Sequence, residues 1–236
     1  MKDQKKQEQG KSDARKNISR RLLQVSLSVI ITAAILLISA GRFNLLYLWV
    51  YIAASLSVIL INSLIFPSEL ISERGRKKEN VEKWDRIITG IMILPGLIIY
   101  LIAGLDIRFG WTPGYPIWFH IAGFIAFIAG NVIVSWAMIS NNYFSTSVRI
   151  QYDRGHSVSS GGPYKYIRHP GYIGMILYLL ATPVLLGSMW ALIPTGLTVL
   201  LFIVRTAFED NTLKMKLEGY KVYSEKVKYR LIPGIW

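Results

Sequence analysis

Gly161-Gly162-Pro163-Tyr164-Lys165-Tyr166-Ile167-Arg168-His169-Pro170-Gly171-Tyr172 sets a dense cluster of polar, aromatic and cationic groups directly against a hydrophobic run. The run reaches Val204 with one short break at Gly187-Ser188, and Arg205-Thr206-Ala207-Phe208-Glu209-Asp210 follows it. If residues 171–204 fold back as a membrane hairpin, the cluster and the acidic pair meet at one membrane face. That meeting point suits a site for a small charged molecule beside lipid.

The rest of the chain makes this hairpin part of a larger membrane body. Of 236 residues 52% are hydrophobic, yet the formal charge is +13, a mixture ordinary for membrane proteins with basic flanks and unusual for a soluble domain. A helix crosses a hydrocarbon core of about 30 Å with about 20 residues. Uncharged runs that meet or approach that length occupy 22–40, 45–66, 87–105, 117–140, 171–187 and 188–204. The last two are short and contain Pro183 and Pro194, which predicts a tilted or kinked hairpin. The fold class is therefore all-α: a polytopic membrane protein of about six transmembrane helices, with a C-terminal hairpin, a polar loop and a tail.

Charge placement sets the expected orientation. With six spans and the N-terminus inside, segments 1–21, 67–86, 141–170 and 205–236 lie together and hold 25 of the 27 basic residues, leaving Arg42 and Arg108 outside. An odd number of spans puts the basic tail on the wrong side. Both termini are thus expected on the cytoplasmic face, and the surplus charge is explained by the bilayer and not by nucleic acid.

The chain has no cysteine, which excludes disulfides, thiolate metal sites and cysteine nucleophiles. A phosphate-cradling loop, a GxGxxG signature and a metal-ligand cluster are also missing from the sequence. Residues 1–21 are polar and read as a disordered basic tail, too polar for a cleaved signal peptide. Residues 22–140 form a four-span part, with Ala122, Ala126 and Gly130 as a small-residue face on the fourth span and His120 as an interfacial or packing residue. In loop 67–86, Pro67 stops the second span, Ser68 and Glu69 can cap a short surface helix, and Trp84 serves as an interfacial anchor.

Residues 141–236 form the functional part. Loop 141–170 carries more donors and acceptors than a connector needs, with Gly161, Gly162 and Pro163 setting fixed turns. Pro170 suits the first turn of a helix, with His169 and Tyr172 facing inward. Glu209 and Asp210 offer carboxylates for a ribose diol or an ammonium group. Arg205 and Glu209, at i and i+4, share a helix face and can also simply pair with each other. The tail is expected to remain helical from the last span to about Lys228.

Residues 162–174, 205–210 and 219–223 resemble, in order and spacing, the C-terminal half of the isoprenylcysteine carboxyl methyltransferase family. The wider group includes phospholipid N-methyltransferases, membrane-integral enzymes that use S-adenosyl-L-methionine. The likeness covers roughly 141–236, and the loop at 67–76 is similar to that of prokaryotic members, which points to a prokaryotic cell membrane. It implies cofactor contacts at Gln151, His156, Ser157, Val158, Ser159, Tyr164, His169, Pro170, Gly171, Tyr172 and Glu209, and a substrate-side, catalytic role for Arg205 with Glu209. The family often has consecutive glutamates where this chain has Glu209-Asp210. The implied acceptor is lipid-like, most directly the carboxylate of an isoprenylated cysteine. An amine headgroup is the alternative within the class. Sterol-type reductases, which bind NADPH, share a similar membrane architecture, but their tails carry a tryptophan that Gly219-Tyr220-Lys221-Val222-Tyr223 lacks.

Overall fold

The computed structural model describes the backbone of residues 2–236 and the side chains of residues 12–236. Eight helices follow in order: α1 (Lys2–Ala40), α2 (Leu46–Ile65), α3 (Ser68–Gly75), α4 (Lys83–Phe109), α5 (Ile117–Ile139), α6 (Pro170–Leu186), α7 (Leu192–Lys216) and α8 (Tyr220–Lys226). Two short 3-10 turns, Tyr152–Arg154 and Gly162–Lys165, interrupt the loop between α5 and α6.

Five helices are long and apolar enough to cross a membrane: α1 from Ser12 onward, α2, α4, α5 and α7. The sixth expected crossing is α6, whose 17 residues extend about 26 Å at 1.5 Å per residue, slightly less than the hydrocarbon layer. Large side chains such as Leu23, Ile38, Leu64, Ile93, Ile125 and Ile193 turn outward and leave most of their surface uncovered. Such a shell is stable only against lipid, so the chain is an integral membrane protein. Inside it, Leu36, Leu48, Ile99, Phe127 and Leu185 form the buried apolar core.

The most extensive helix contact joins α5 to α6. A Cβ on Gly130 would lie 2.6 Å from the Tyr178 backbone nitrogen, and one on Gly123 would lie 2.4 Å from that of Leu185. The contact face is therefore Gly123–Phe127–Gly130, while Ala122 faces outward, a rotation of one residue from the expected stripe. His120 is a packing residue: it is buried, stacks on Tyr47 with ring centroids 3.5 Å apart, and bonds through Nδ1 to the Leu185 carbonyl at 2.9 Å.

Several boundaries differ from the sequence expectation. The stretch expected to be disordered is helical from Lys2 to Arg21 and continuous with the first span. It contains no proline, is rich in good helix formers, and packs on α3, where a Cβ on Gly75 would lie 1.9 Å from the Asn17 carbonyl oxygen. Helix α3 starts on Pro67 with no side-chain cap, so Ser68 and Glu69 do not cap it. Trp84 packs on Phe208, with ring centroids 5.3 Å apart. The hairpin's second helix begins at Leu192 and runs past Val204 to Lys216, so 205–210 is helical.

The tail helix does not continue to Lys228. It stops at Leu217, because Gly219 adopts φ +78, and α8 starts anew. Residues 229–236 then return to the opening motif, where the amides of Arg168 and His169 donate to the carbonyls of Tyr229 (2.9 Å) and Arg230 (3.0 Å).

Candidate active site

A cavity of about 250 Å3 lies where α6 begins and α7 leaves the apolar layer. Of the residues singled out from sequence, Gln151, His156, Ser157, Val158, Ser159, Tyr164, His169, Gly171, Tyr172, Arg205 and Glu209 line it. Pro170 does not; it is buried behind them as the first residue of α6.

The loop forms one wall through interlocking bonds. Gln151 is buried, its Nε2 donating to the Tyr143 carbonyl at 2.6 Å while its Oε1 accepts from Arg154 at 2.7 Å. The Gln151 amide donates to Nδ1 of His156 at 3.3 Å. Burial, reinforced by the charges of Arg149 and Arg154, lowers the His156 pKa to about 4, so the ring is neutral at pH 7. Asn141 ties two further positions, accepting from Ser159 at 2.9 Å and donating to the Tyr164 hydroxyl at 3.3 Å. Gly162, at φ +53, turns the chain where a Cβ would lie 2.3 Å from Ser140 Oγ.

The expected Arg205–Glu209 helix pair does not form. Arg205 Nε bonds instead to Asp85 on α4 at 2.8 Å, and Nη2 to the Thr146 carbonyl at 3.2 Å, with the guanidinium carbon 5.5 Å from the Tyr172 ring centre. Glu209 accepts a short hydrogen bond from the Tyr172 hydroxyl and has no ion-pair partner among the described residues. Its carboxylate thus lines the cavity without an ion pair of its own.

Asp210 has another task. Fully buried, it accepts from Arg168 at 2.6 and 3.0 Å, Arg230 at 3.0 Å and the Tyr220 hydroxyl at 3.0 Å, and it pairs with Lys214 at 3.0 Å. Its Oδ1 also lies 3.3 Å from His169 Nε2. This one carboxylate thus joins the opening motif, α7, α8 and the returning tail.

Asp85, Arg149 and Arg74 were not singled out from sequence. Asp85 lies at the end of the loop delimited from sequence as 67–86, in the first turn of α4. Arg149 is buried and neutralised by Glu73 at 3.0 Å and Asp153 at 3.1 Å. Burial alone raises the Glu73 pKa, but bonds and charges from Lys78 and Arg149 outweigh it and leave it lowered. Among the described residues no group of three His, Cys, Asp or Glu is arranged to hold a metal ion.

Residues 121–215 match the model of the isoprenylcysteine carboxyl methyltransferase (ICMT) family. That stretch takes in most of α5, the polar loop, α6 and nearly all of α7. Over residues 121–215 the chain is thus similar to this family. Relatives of the ICMT segment include a probable protein-S-isoprenylcysteine O-methyltransferase of Oryza sativa subsp. indica, 29% identical over 47% of this chain and 60% of its own. Protein-S-isoprenylcysteine O-methyltransferase A of Arabidopsis thaliana is 27% identical over 47% and 57%, and the Schizosaccharomyces pombe protein-S-isoprenylcysteine O-methyltransferase 28% over 42% and 43%. The aligned region thus spans between 43 and 60% of these relatives' lengths. The first four helices, with Arg74 on α3 and Asp85 on α4, and all of α8 fall outside the ICMT match.

Proposed function

We propose that the chain is a methyltransferase that uses S-adenosyl-L-methionine to methylate the carboxylate of a membrane-embedded, lipid-like acceptor, with an S-isoprenylated cysteine as the acceptor class. The observation that carries this reading is Glu209: a carboxylate without an ion pair of its own in a cavity bounded by the family's own segment. The donor set fits the cofactor. Glu209 suits a ribose diol or an ammonium group, Ser157, Ser159 and Tyr164 add hydroxyls, and Val158, Leu213 and Leu217 give an apolar side for a base.

The cofactor supplies a methyl group on a cationic sulfur. The protein's task is then alignment and exclusion of water, since an acceptor that is already a carboxylate needs no base. Gln151, His156 and Gly171 shape the donor side together with Tyr164, His169 and Tyr172, and Pro170 starts the helix beneath them. Arg205, fixed by Asp85 through Nε, orients the acceptor with its remaining donors. Such an acceptor reaches the site from the bilayer, while the cofactor enters from the face that carries the basic loops. We assign that face, with both termini, to the cytoplasm on the placement of Lys and Arg.

Titration of purified protein with S-adenosylhomocysteine and, separately, NADPH tests the reading. Binding of the first and not the second is expected. Glu209→Gln, which keeps an acceptor for the Tyr172 hydroxyl, should weaken S-adenosylhomocysteine binding by roughly tenfold or more, the worth of a charge-assisted hydrogen bond. Arg205→Lys, which keeps a cation beside Asp85, should spare that binding and lower turnover. Binding of NADPH alone would sink the proposal.

A further inference from the structure

We infer that Arg74, at the end of α3, supplies the charge that selects an anionic acceptor, beside Arg205, which orients it, in the same cavity in which Glu209 faces the donor. The inference rests on the methyl-transfer reading above. Charge pairing around the cavity motivates it. Four arginines line the cavity, and three are neutralised: Arg149 by Glu73 and Asp153, Arg168 by Asp210, and Arg205 by Asp85. Arg74 has no ion pair among the described residues, and its Nη1 is shut off from solvent with no hydrogen-bond partner. Its guanidinium carbon lies 5.4 Å from the centre of the Phe144 ring, whose edge also fills the space above Gly171. Only that ring separates it from the turn that opens α6.

A guanidinium nitrogen shut off from solvent with no hydrogen-bond partner is costly unless something pairs with it. Burial, and next the neighbouring charge of Arg21, pull the Arg74 pKa down to about 9, which still leaves it charged at pH 7. The close seating of Gly75 on Asn17 fixes the end of α3, from which Arg74 projects, against α1. Two charges of opposite sign, Arg74 and Glu209, each without an ion pair among the described residues, therefore share one cavity. Methyl transfer joins two reactants of opposite sign, an anionic carboxylate and a cationic sulfonium. As the O–CH3 bond forms and the S–CH3 bond breaks, its electron pair stays on sulfur and both charges vanish. The neutral ester then has no hold on Arg74, which favours its release.

The test uses full-length protein in phosphatidylcholine nanodiscs, saturated with S-adenosylhomocysteine, and two probes, N-acetyl-S-farnesyl-L-cysteine and its methyl ester. Wild type should bind the acid about tenfold or more tightly than the ester. Arg74→Gln should abolish that preference while leaving ester and S-adenosylhomocysteine affinities unchanged, which also shows that the variant is folded. Arg74→Lys should retain part of the preference. A preference that survives in Arg74→Gln, no preference in wild type, or equal loss of both probes would overturn the assignment. So would loss of the wild-type preference in phosphatidylglycerol nanodiscs, which would identify a lipid headgroup as the anion. If the preference behaves as expected but wild type transfers no methyl group to the acid, the anion site stands and the proposed reaction fails.

Discussion

Glu209 and Asp210 are adjacent, and their surroundings give them opposite duties. Glu209 has one tyrosine hydroxyl and an open cavity, whereas Asp210 is enclosed by Arg168, Lys214, Tyr220 and Arg230. Several donors on one buried carboxylate compensate its desolvation, and removing it leaves Arg168 buried without a counter-ion. Asp210→Ala should therefore cost about 3–5 kcal/mol, the usual penalty for breaking a buried pair from one side. It should appear as a lowered Tm in detergent and as early proteolysis within 217–236, where α8 and the tail lose their common anchor. Glu209→Gln should leave Tm almost unchanged, as expected where no buried partner is orphaned. The reverse pattern, with Asp210→Ala stable and defective only in cofactor binding, would transfer the donor role to Asp210.

At the scale of helices, the α5–α6 contact is built by absent side chains. Gly130→Val should destabilise the protein by at least about 1–3 kcal/mol, the cost of overpacking, because its Cβ would meet the Tyr178 backbone nitrogen at 2.6 Å and the Gly174 carbonyl oxygen at 2.8 Å. Ala122→Val, on the outward face, should be nearly neutral in the same unfolding assay. Equal effects at both positions would favour the face containing Ala122. This pair also shows how far the sequence was legible. Small residues at four-residue spacing announced a tight helix contact, but the facing Gly174 chooses which side of α5 is used, and that choice is not periodic in α5. Hydropathy likewise found the five helices long enough to cross a membrane, and the continuation of the last helix past Val204 was expected, but its stop at Leu217, set by Gly219 at φ +78, was not. The cavity-lining residues within 151–172 were readable because they are local. Asp85 and Arg74 were not, since Asp85 meets Arg205 across 120 positions and no local pattern encodes such a pairing.

For the whole molecule, both ends of the bundle are polar, but they differ in kind. One end holds the cavity and most of the cations. The other is closed by Asp106, which accepts from the Thr112 amide at 2.7 Å and the Ser188 hydroxyl at 2.5 Å and so locks α4 to the hairpin turn. Basic residues resist transfer across a bilayer with an energized inner face, so the cavity end should face the cytoplasm. The natural absence of cysteine makes this directly measurable with single-cysteine variants at exposed positions. Glu79→Cys and Lys221→Cys belong to the cavity end, Arg42→Cys and Gly114→Cys to the Asp106 end. A membrane-impermeant maleimide applied to intact cells should label the variants at 42 and 114 and leave those at 79 and 221 unmodified until the cells are opened. Labelling of 79 and 221 from outside would invert the orientation. It would place the cofactor entrance outside the cell, where no supply of S-adenosyl-L-methionine is expected, and the proposed chemistry would fail with the topology.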